Sequence, residues 1–162
     1  MRLTDRESVL TERQKDLVSY WTSLCEGSSL PSRRALNPVQ LRGALAHTSL
    51  AEKNGETFKF RLTGSRIAAL FGRNAERQLI EEIDLNNAEA GTSSMDLALE
   101  TGRPVFGSRR VGARWHCWAR VPLLNDEGVA ALVLCLDEFP AELPEFAMPS
   151  PTSRRPYKQI VA

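Results

Sequence analysis

The sequence predicts an α+β fold: one antiparallel sheet of five strands, with short helices on one face and an N-terminal amphipathic helix ahead of it. Three observations predict it. Two strand-like runs, 48–52 and 56–63, flank an Asn-Gly turn. Three more strand-like runs follow between 105 and 138, and helical periodicity fills the interval between the two groups. Strands gathered apart from helices argue a single sheet with the helices over one of its faces.

The elements follow in order. Thr4-Asp5-Arg6-Glu7 has the spacing of a capping box, so a helix is expected from Thr4. Leu10, Leu17, Trp21 and Leu24 form its apolar stripe, with Arg13, Lys15 and Asp16 opposite and Gly27 as a stop. That stripe can be a lid on the chain's own sheet or a dimer-forming flank, and the four residues are the expected homodimer interface. Leu30-Pro31 and Asn37-Pro38 stiffen the next stretch, and a short helix is expected over 38–45. Asn54-Gly55 suits a tight turn between the first two strands. In the second strand Phe58, Phe60 and Leu62 alternate with Lys59, Arg61 and Thr63, which predicts that all three apolar side chains face the core.

After Gly64 the period becomes helical through Ile67, Leu70 and Phe71. Leu79, Ile80 and Ile83 continue it, and Met95, Ala98 and Leu99 define a helix over 93–101. Strands are expected at 105–111, 113–124 and 129–138, joined by Gly112 and by Asn125-Asp126-Glu127-Gly128. Beyond Phe139 come Pro140, Pro144, Pro149, Pro151 and Pro156, a density that predicts no packed element. The expected organisation is a flanking helix over 1–27, a domain over 28–139 and a proline-rich tail over 140–162.

Composition narrows the function. With 42% hydrophobic and 25% charged residues the chain has ordinary globular usage, and its net charge of +1 provides no field to gather nucleic acid. The longest apolar run, Val129 to Leu136, is far short of the roughly 20 residues a membrane helix needs. No apolar leader opens the chain, so a cytoplasmic protein is expected. Cys25, Cys117 and Cys135 fit neither a disulfide framework nor a zinc pattern and read as reduced thiols. His116-Cys117 resembles a nucleophile and base, but neighbours on a strand point to opposite faces. His47 and His116 are unclustered, so the sequence requires no cofactor, and neither haem nor metal is expected.

Specific residues carry a resemblance. Trp21, Gly27, Leu30-Pro31-Ser32-Arg33 and Pro38, then Phe58-Lys59-Phe60-Arg61-Leu62-Thr63-Gly64-Ser65, then Phe71-Gly72-Arg73 resemble the motif blocks of the single-domain PAS family, found mainly in alphaproteobacteria. Gly102-Arg103-Pro104-Val105 and the strand 119–124 are similar to its weaker later blocks, and the resemblance covers 18–138. Asn74-Ala75-Glu76-Arg77-Gln78 departs from it by lacking the family's turn glycine. The resemblance implies a standalone sensory and regulatory domain that is not an enzyme. It would act through itself and a signalling protein partner, with a small-molecule ligand biasing its conformation.

The PAS fold permits a ligand cavity between sheet and helices without requiring one. Trp115, Cys117, Ala119, Val121 and Leu123 share the more apolar face of the fourth strand. If that face meets Phe71, Met95 and Leu99, the expected ligand-binding residues are Phe71, Met95, Leu99, Trp115, Cys117 and Ala119. If the faces are reversed, Trp118 fills the interior and His116 with Arg120 supplies polar contacts. Two other classes remain beside this reading: a small α+β enzyme with an acid/base pocket, and a ligand-free dimerisation module.

Overall fold

The computed structural model describes residues 10–27, 29–71, 92–143 and 159–161. Helix α1 spans Glu12–Leu24. Three 3-10 turns (Arg33–Ala35, Pro38–Leu41, Leu45–His47) lead into strands β1 (Thr48–Asn54) and β2 (Thr57–Thr63). Helices α2 (Ser65–Phe71) and α3 (Thr92–Thr101) precede strands β3 (Val105–Val111), β4 (Arg114–Leu124), β5 (Ala130–Glu138) and β6 (Gln159–Val161). The sheet order is β2-β1-β5-β4-β3-β6, antiparallel throughout. The five expected strands are all present, and the expected helix over 38–45 is replaced by two tight turns around Arg42–Ala44. The expected helical stretch at Leu79, Ile80 and Ile83 lies outside the described residues.

Helix α1 starts at a capping box, though not the one at Thr4, which lies outside the described residues. Thr11 Oγ1 accepts from Gln14 N (3.1 Å) and Gln14 Oε1 accepts from Thr11 N (2.7 Å). Thr11 itself is extended, so the helix that runs to Leu24 begins after it. At the other end Cys25 N–H closes on Thr22 O, and Gly27, with φ of 64°, turns the chain three residues beyond the last helical residue.

The apolar stripe is a lid. Leu10, Leu17 and Trp21 are buried in one cluster with Ala119, Val121 and Leu123 of β4 and Leu132, Leu134 and Leu136 of β5. Two side chains also tie the helix to strand carbonyls: Gln14 Nε2 donates to Trp118 O (2.8 Å), and Trp21 Nε1 donates to Pro122 O (2.7 Å). This corrects the expected interface. In this arrangement Leu10, Leu17 and Trp21 are spent on the chain's own core, and Leu24 is only half-buried.

The opposite face of the sheet carries α3. Met95 and Leu99 pack there with Ala51, Phe58, Phe60, Val133 and Cys135. Leu62 breaks the expected alternation and is 55% exposed, whereas Phe58 and Phe60 are buried. A bulge is the cause. Leu50 pairs with Leu62 but Ala51 pairs with Phe60, which leaves Arg61 as an extra residue in β2. One extra residue reverses the side-chain phase, so Leu62 emerges on the α1 side of the sheet, beyond the reach of that helix.

Just past Leu62, Gly64 turns β2 into α2 at a point where the chain crosses its own connector. A Cβ there would land on the backbone oxygens of Leu45 and Ala46, so the requirement is for space between two backbones. Proline in the interior of β4 has a comparable local account. Pro122 lies beyond Arg120, the last β4 residue paired with β3, and the β4–β5 register shifts just after it, between Leu123 and Leu124.

The tail expectation also needs correction. Leu143 is buried against Cys117 and Trp115, and Gln159–Val161 pairs with Val105–Gly107 as a sixth strand. The intervening 144–158 lie outside the described residues.

The bulge predicts a sharp contrast in stability. Phe60→Ala should cost about 3–5 kcal/mol in denaturant unfolding, while Leu62→Ala, two residues away, should change it by less than about 0.5 kcal/mol. Equal losses at both sites would remove the bulge reading. Gly64→Ala should cost about 1–3 kcal/mol, because backbone rather than a movable side chain must give way.

Candidate functional site

The central pair β4 and β5 divides its residues between the two faces. Cys117, Ala119, Val121 and Leu123 lie on the α1 side. His116, Trp118 and Arg120 lie on the α3 side, together with Val133, Cys135 and Asp137 of β5. The ligand set expected from sequence is therefore split. Met95 and Leu99 sit with the second group, while Cys117 and Ala119 belong to the other face and Trp115 packs beside Cys117. The side chain of Phe71 lies outside the described residues. The reversed arrangement is the one the chain adopts, with Trp118 wholly buried inside and His116 and Arg120 supplying polar groups.

These polar groups meet at one carboxylate. Arg120 Nη2 donates to Asp137 Oδ1 (2.8 Å) and Nη1 to Oδ2 (3.2 Å), a forked pair. His116 Nε2–H donates to the same Oδ1 at 2.7 Å, as an imidazole facing a carboxylate must. Arg120 Nη1 also reaches the carbonyls of Ala119 (3.0 Å) and Leu136 (2.9 Å). His116 stacks on Phe139 with ring centroids 4.6 Å apart and lies 5.4 Å from the Trp118 ring. All three polar side chains are buried.

Burial by itself would push the Asp137 carboxyl up. The Arg120 guanidinium and the His116 hydrogen bond outweigh it and hold Asp137 below the usual carboxylate value. Arg120 shows the mirror effect: burial opposes its charge, but Asp137 keeps its pKa above the ordinary value. Beside them Cys135, which accompanies Arg120 across the ladder, is pushed up to about 12 chiefly by burial, and Cys117 on the other face is likewise pushed up to about 12 by burial. Both thiols are protonated at neutral pH, the less nucleophilic form. His116 and Cys117 point to opposite faces of β4, as their adjacency requires.

The remaining donors are few. The indole Nε1 of Trp118 is buried and has no hydrogen-bond partner among the described residues, nor does Thr57 Oγ1. Among the described residues no group of three His, Cys, Asp or Glu side chains could hold a metal ion. His47, half-buried near the start of β1, has its pKa lowered chiefly by burial and then by nearby Arg13. Arg61 ion-pairs with Glu52 on the neighbouring strand. No helix among the described residues is long and apolar enough to cross a membrane.

A concavity lies on the α1 side, next to β2. It is an open groove of about 540 Å³ lined by Leu36, Pro38, Leu41, Leu45, Leu50 and Leu62. Val39, Leu45 and Leu62 on or beside it are exposed large apolar side chains. Sequence reasoning missed this groove because it depends on the bulge that turns Leu62 outward. It also passed over Asp137, although an acid and an arginine within two largely apolar strands, Asp137 and Arg120, are the pattern a buried ion pair leaves in sequence.

A sheet with its five main strands in the order β2-β1-β5-β4-β3, and helices inserted between β2 and β3, defines a small α+β domain. A family model described as PAS domain matches residues 10–106, more than half of the 162. The chain belongs to the PAS domain family. The match runs from just ahead of α1 into β3, and β4 and β5, which carry the Arg120–Asp137–His116 cluster, complete the sheet beyond it. No curated protein matches the chain.

The cluster makes a pH-dependent contribution to stability. Because the folded pKa of Asp137 lies below its unfolded value, the contribution is complete above about pH 4 and is lost as pH falls through the folded value. Asp137→Asn leaves Arg120 buried without its counter-charge and should cost about 3–5 kcal/mol at pH 7. The gap between wild type and variant should narrow on acidification. A gap constant from pH 7 down to about pH 2 would show that the carboxylate charge contributes nothing.

Proposed function

We propose that this PAS domain is a cytoplasmic sensory and regulatory module that works by protein–protein interaction, including pairing with a second copy, and that a small ligand biases its conformation. The observation that supports this reading best is the buried cluster. His116, Asp137 and Arg120 direct their polar atoms at one another and at strand carbonyls, and the imidazole stacks on Phe139 where the chain leaves β5. A group committed in this way is poor general-base chemistry but a good mechanical link. Movement under α3 reaches Phe139 and, through Arg114 Nη1 on Phe139 O (2.9 Å) and Trp115 N on Pro140 O (2.9 Å), the segment that exits the sheet.

A ligand under α3 would meet Trp118, Met95 and Leu99, with the Trp118 indole N–H as a ready donor. Such a ligand is small, largely apolar and carries an acceptor. The site therefore keeps Met95 and Leu99 from the sequence-derived set and exchanges Cys117 and Ala119 for Trp118. For self-association the α1 stripe is replaced by Val39, Leu45 and Leu62, apolar side chains left exposed beside that helix's side of the sheet. A two-fold contact would lay this patch on its own copy.

Light scattering at high micromolar concentration is expected to give a dimer that Leu62→Glu converts to a folded monomer. Native mass spectrometry should show a bound small molecule that Trp118→Phe weakens by about tenfold, the worth of one buried hydrogen bond. A monomer that carries no ligand, recruits no protein partner and turns over a substrate would overturn the reading in favour of the small enzyme. A dimer without ligand would leave the ligand-free dimerisation module.

A further inference from the structure

The outer edge of β3 is closed by the shortest strand of the sheet. Val105 pairs with Val161, Phe106 with Ile160 and Gly107 with Gln159, so three residues cover one end of a seven-residue strand. A ladder lengthened beyond Gln159 meets Pro156 within three residues, and proline has no N–H to donate. The residues before β6, Arg154-Arg155-Pro156-Tyr157-Lys158, are also basic, and the far end of β3 is basic too. Arg110 and Arg114 are exposed on either side of the β3–β4 turn. Arg110 is held over the Trp115 ring and bonded to Gly112 O, and Arg114 is bonded to Phe139 O. Among the described residues neither has a carboxylate partner. The chain's own tail thus has the wrong charge and the wrong backbone for most of this edge.

We propose that the β3 edge is a docking site for an extended acidic segment of another protein, and that β6 is its displaceable occupant. The inference rests on the reading that the domain acts through a protein partner, and it names the edge and the chemistry of that partner. An incoming strand gains backbone hydrogen bonds along all of β3, where β6 makes them along three residues. Carboxylates on its outward side chains pair with Arg110 and Arg114, which raises the association rate and makes binding fall with salt. Specificity follows from the same charges, because a basic strand meets the repulsion that limits the chain's own tail and a neutral strand lacks the pairing with the two arginines.

The test uses the full chain and two variants, one lacking residues 159–162 and one carrying Ile160→Pro. The probe is a fluorescein-labelled eight-residue peptide of alternating Glu and Thr, with the Lys and Thr peptide as its control. Anisotropy should show the acidic peptide binding both variants about tenfold tighter than the full chain. Binding should weaken as salt rises from about 0.05 to about 0.3 M, the control should not bind, and Arg110→Glu in the Ile160→Pro background should abolish the gain. If the truncated chain does not fold, the Ile160→Pro chain carries the comparison alone. Equal affinity for all three proteins overturns the proposal, since the peptide then binds elsewhere. No binding to any of them overturns it as well. A dimer that exchanges residues 159–161 between copies, disperses on truncation and binds no peptide assigns the edge to self-association instead. Partner binding by the full chain that truncation leaves unchanged removes only the edge, whereas loss of any protein partner removes the broader reading.

Discussion

The β4–β5 ladder is buried on both faces, and the rest of the molecule is arranged to make that tolerable. From Ser49 and Ala51 on β1 through Cys135 and Val133 on β5 to Arg120 on β4, one face is closed by α3. The other face, Leu134 and Leu136 beside Ala119 and Val121, is closed by α1. A sheet with two apolar faces cannot leave either to water without losing roughly 25 cal/mol for each Å² of apolar surface exposed. Helix α1 is therefore part of the domain's core, and its Gln14 and Trp21 bonds to strand carbonyls fix how it lies. The family match beginning at residue 10 agrees with that boundary.

Burial on both sides also limits what the sequence could reveal. Strand positions were legible because Gly55, Gly112 and Gly128 take positive φ at the turns and the apolar runs between them are the right length. Facing was not. Residues 116–123 are buried without exception, so alternation separates the two faces of β4 but does not say which one meets α3. The more apolar set, Cys117 to Leu123, went to α1, whose apolar stripe asks for a plain surface. The set with Trp118 and Arg120 went to α3. A rule that assigns the greasier face to the interior presumes that the other face is wet, and here it is not.

Two smaller misreadings have equally local causes. The helix expected to run on from Thr4 instead opens after the extended Thr11, whose capping box with Gln14 has the same spacing as Thr4–Glu7, a pair that lies outside the described residues. Leu62 looks like the third member of an inward row, and one extra residue in β2 turns it out. Neither feature changes composition or periodicity enough to be read in advance. The strand at Gln159–Val161 belongs with them. Three residues after a proline-rich stretch carry almost no periodic signal, and only the edge of β3 supplies a reason for them to be extended.

The buried cluster follows from the same double burial. An ion pair inside a core is seldom a net gain over well-packed apolar residues of similar volume, because the desolvation of both charges offsets most of the attraction. What it does supply is a single admissible geometry. Arg120 reaches two carbonyls and both oxygens of Asp137, and His116 reaches one of those oxygens. A shift of β5 relative to β4 must therefore break several bonds together, since no apolar surface nearby can take over any of them. Apolar contacts slide, whereas this cluster resists small displacements and yields abruptly to larger ones. With Phe139 stacked on His116 at the point where β5 ends, the stiffest part of the core adjoins the segment that leaves it. Any change in the packing of Trp118 against His116 acts on that junction directly, through two rings 5.4 Å apart.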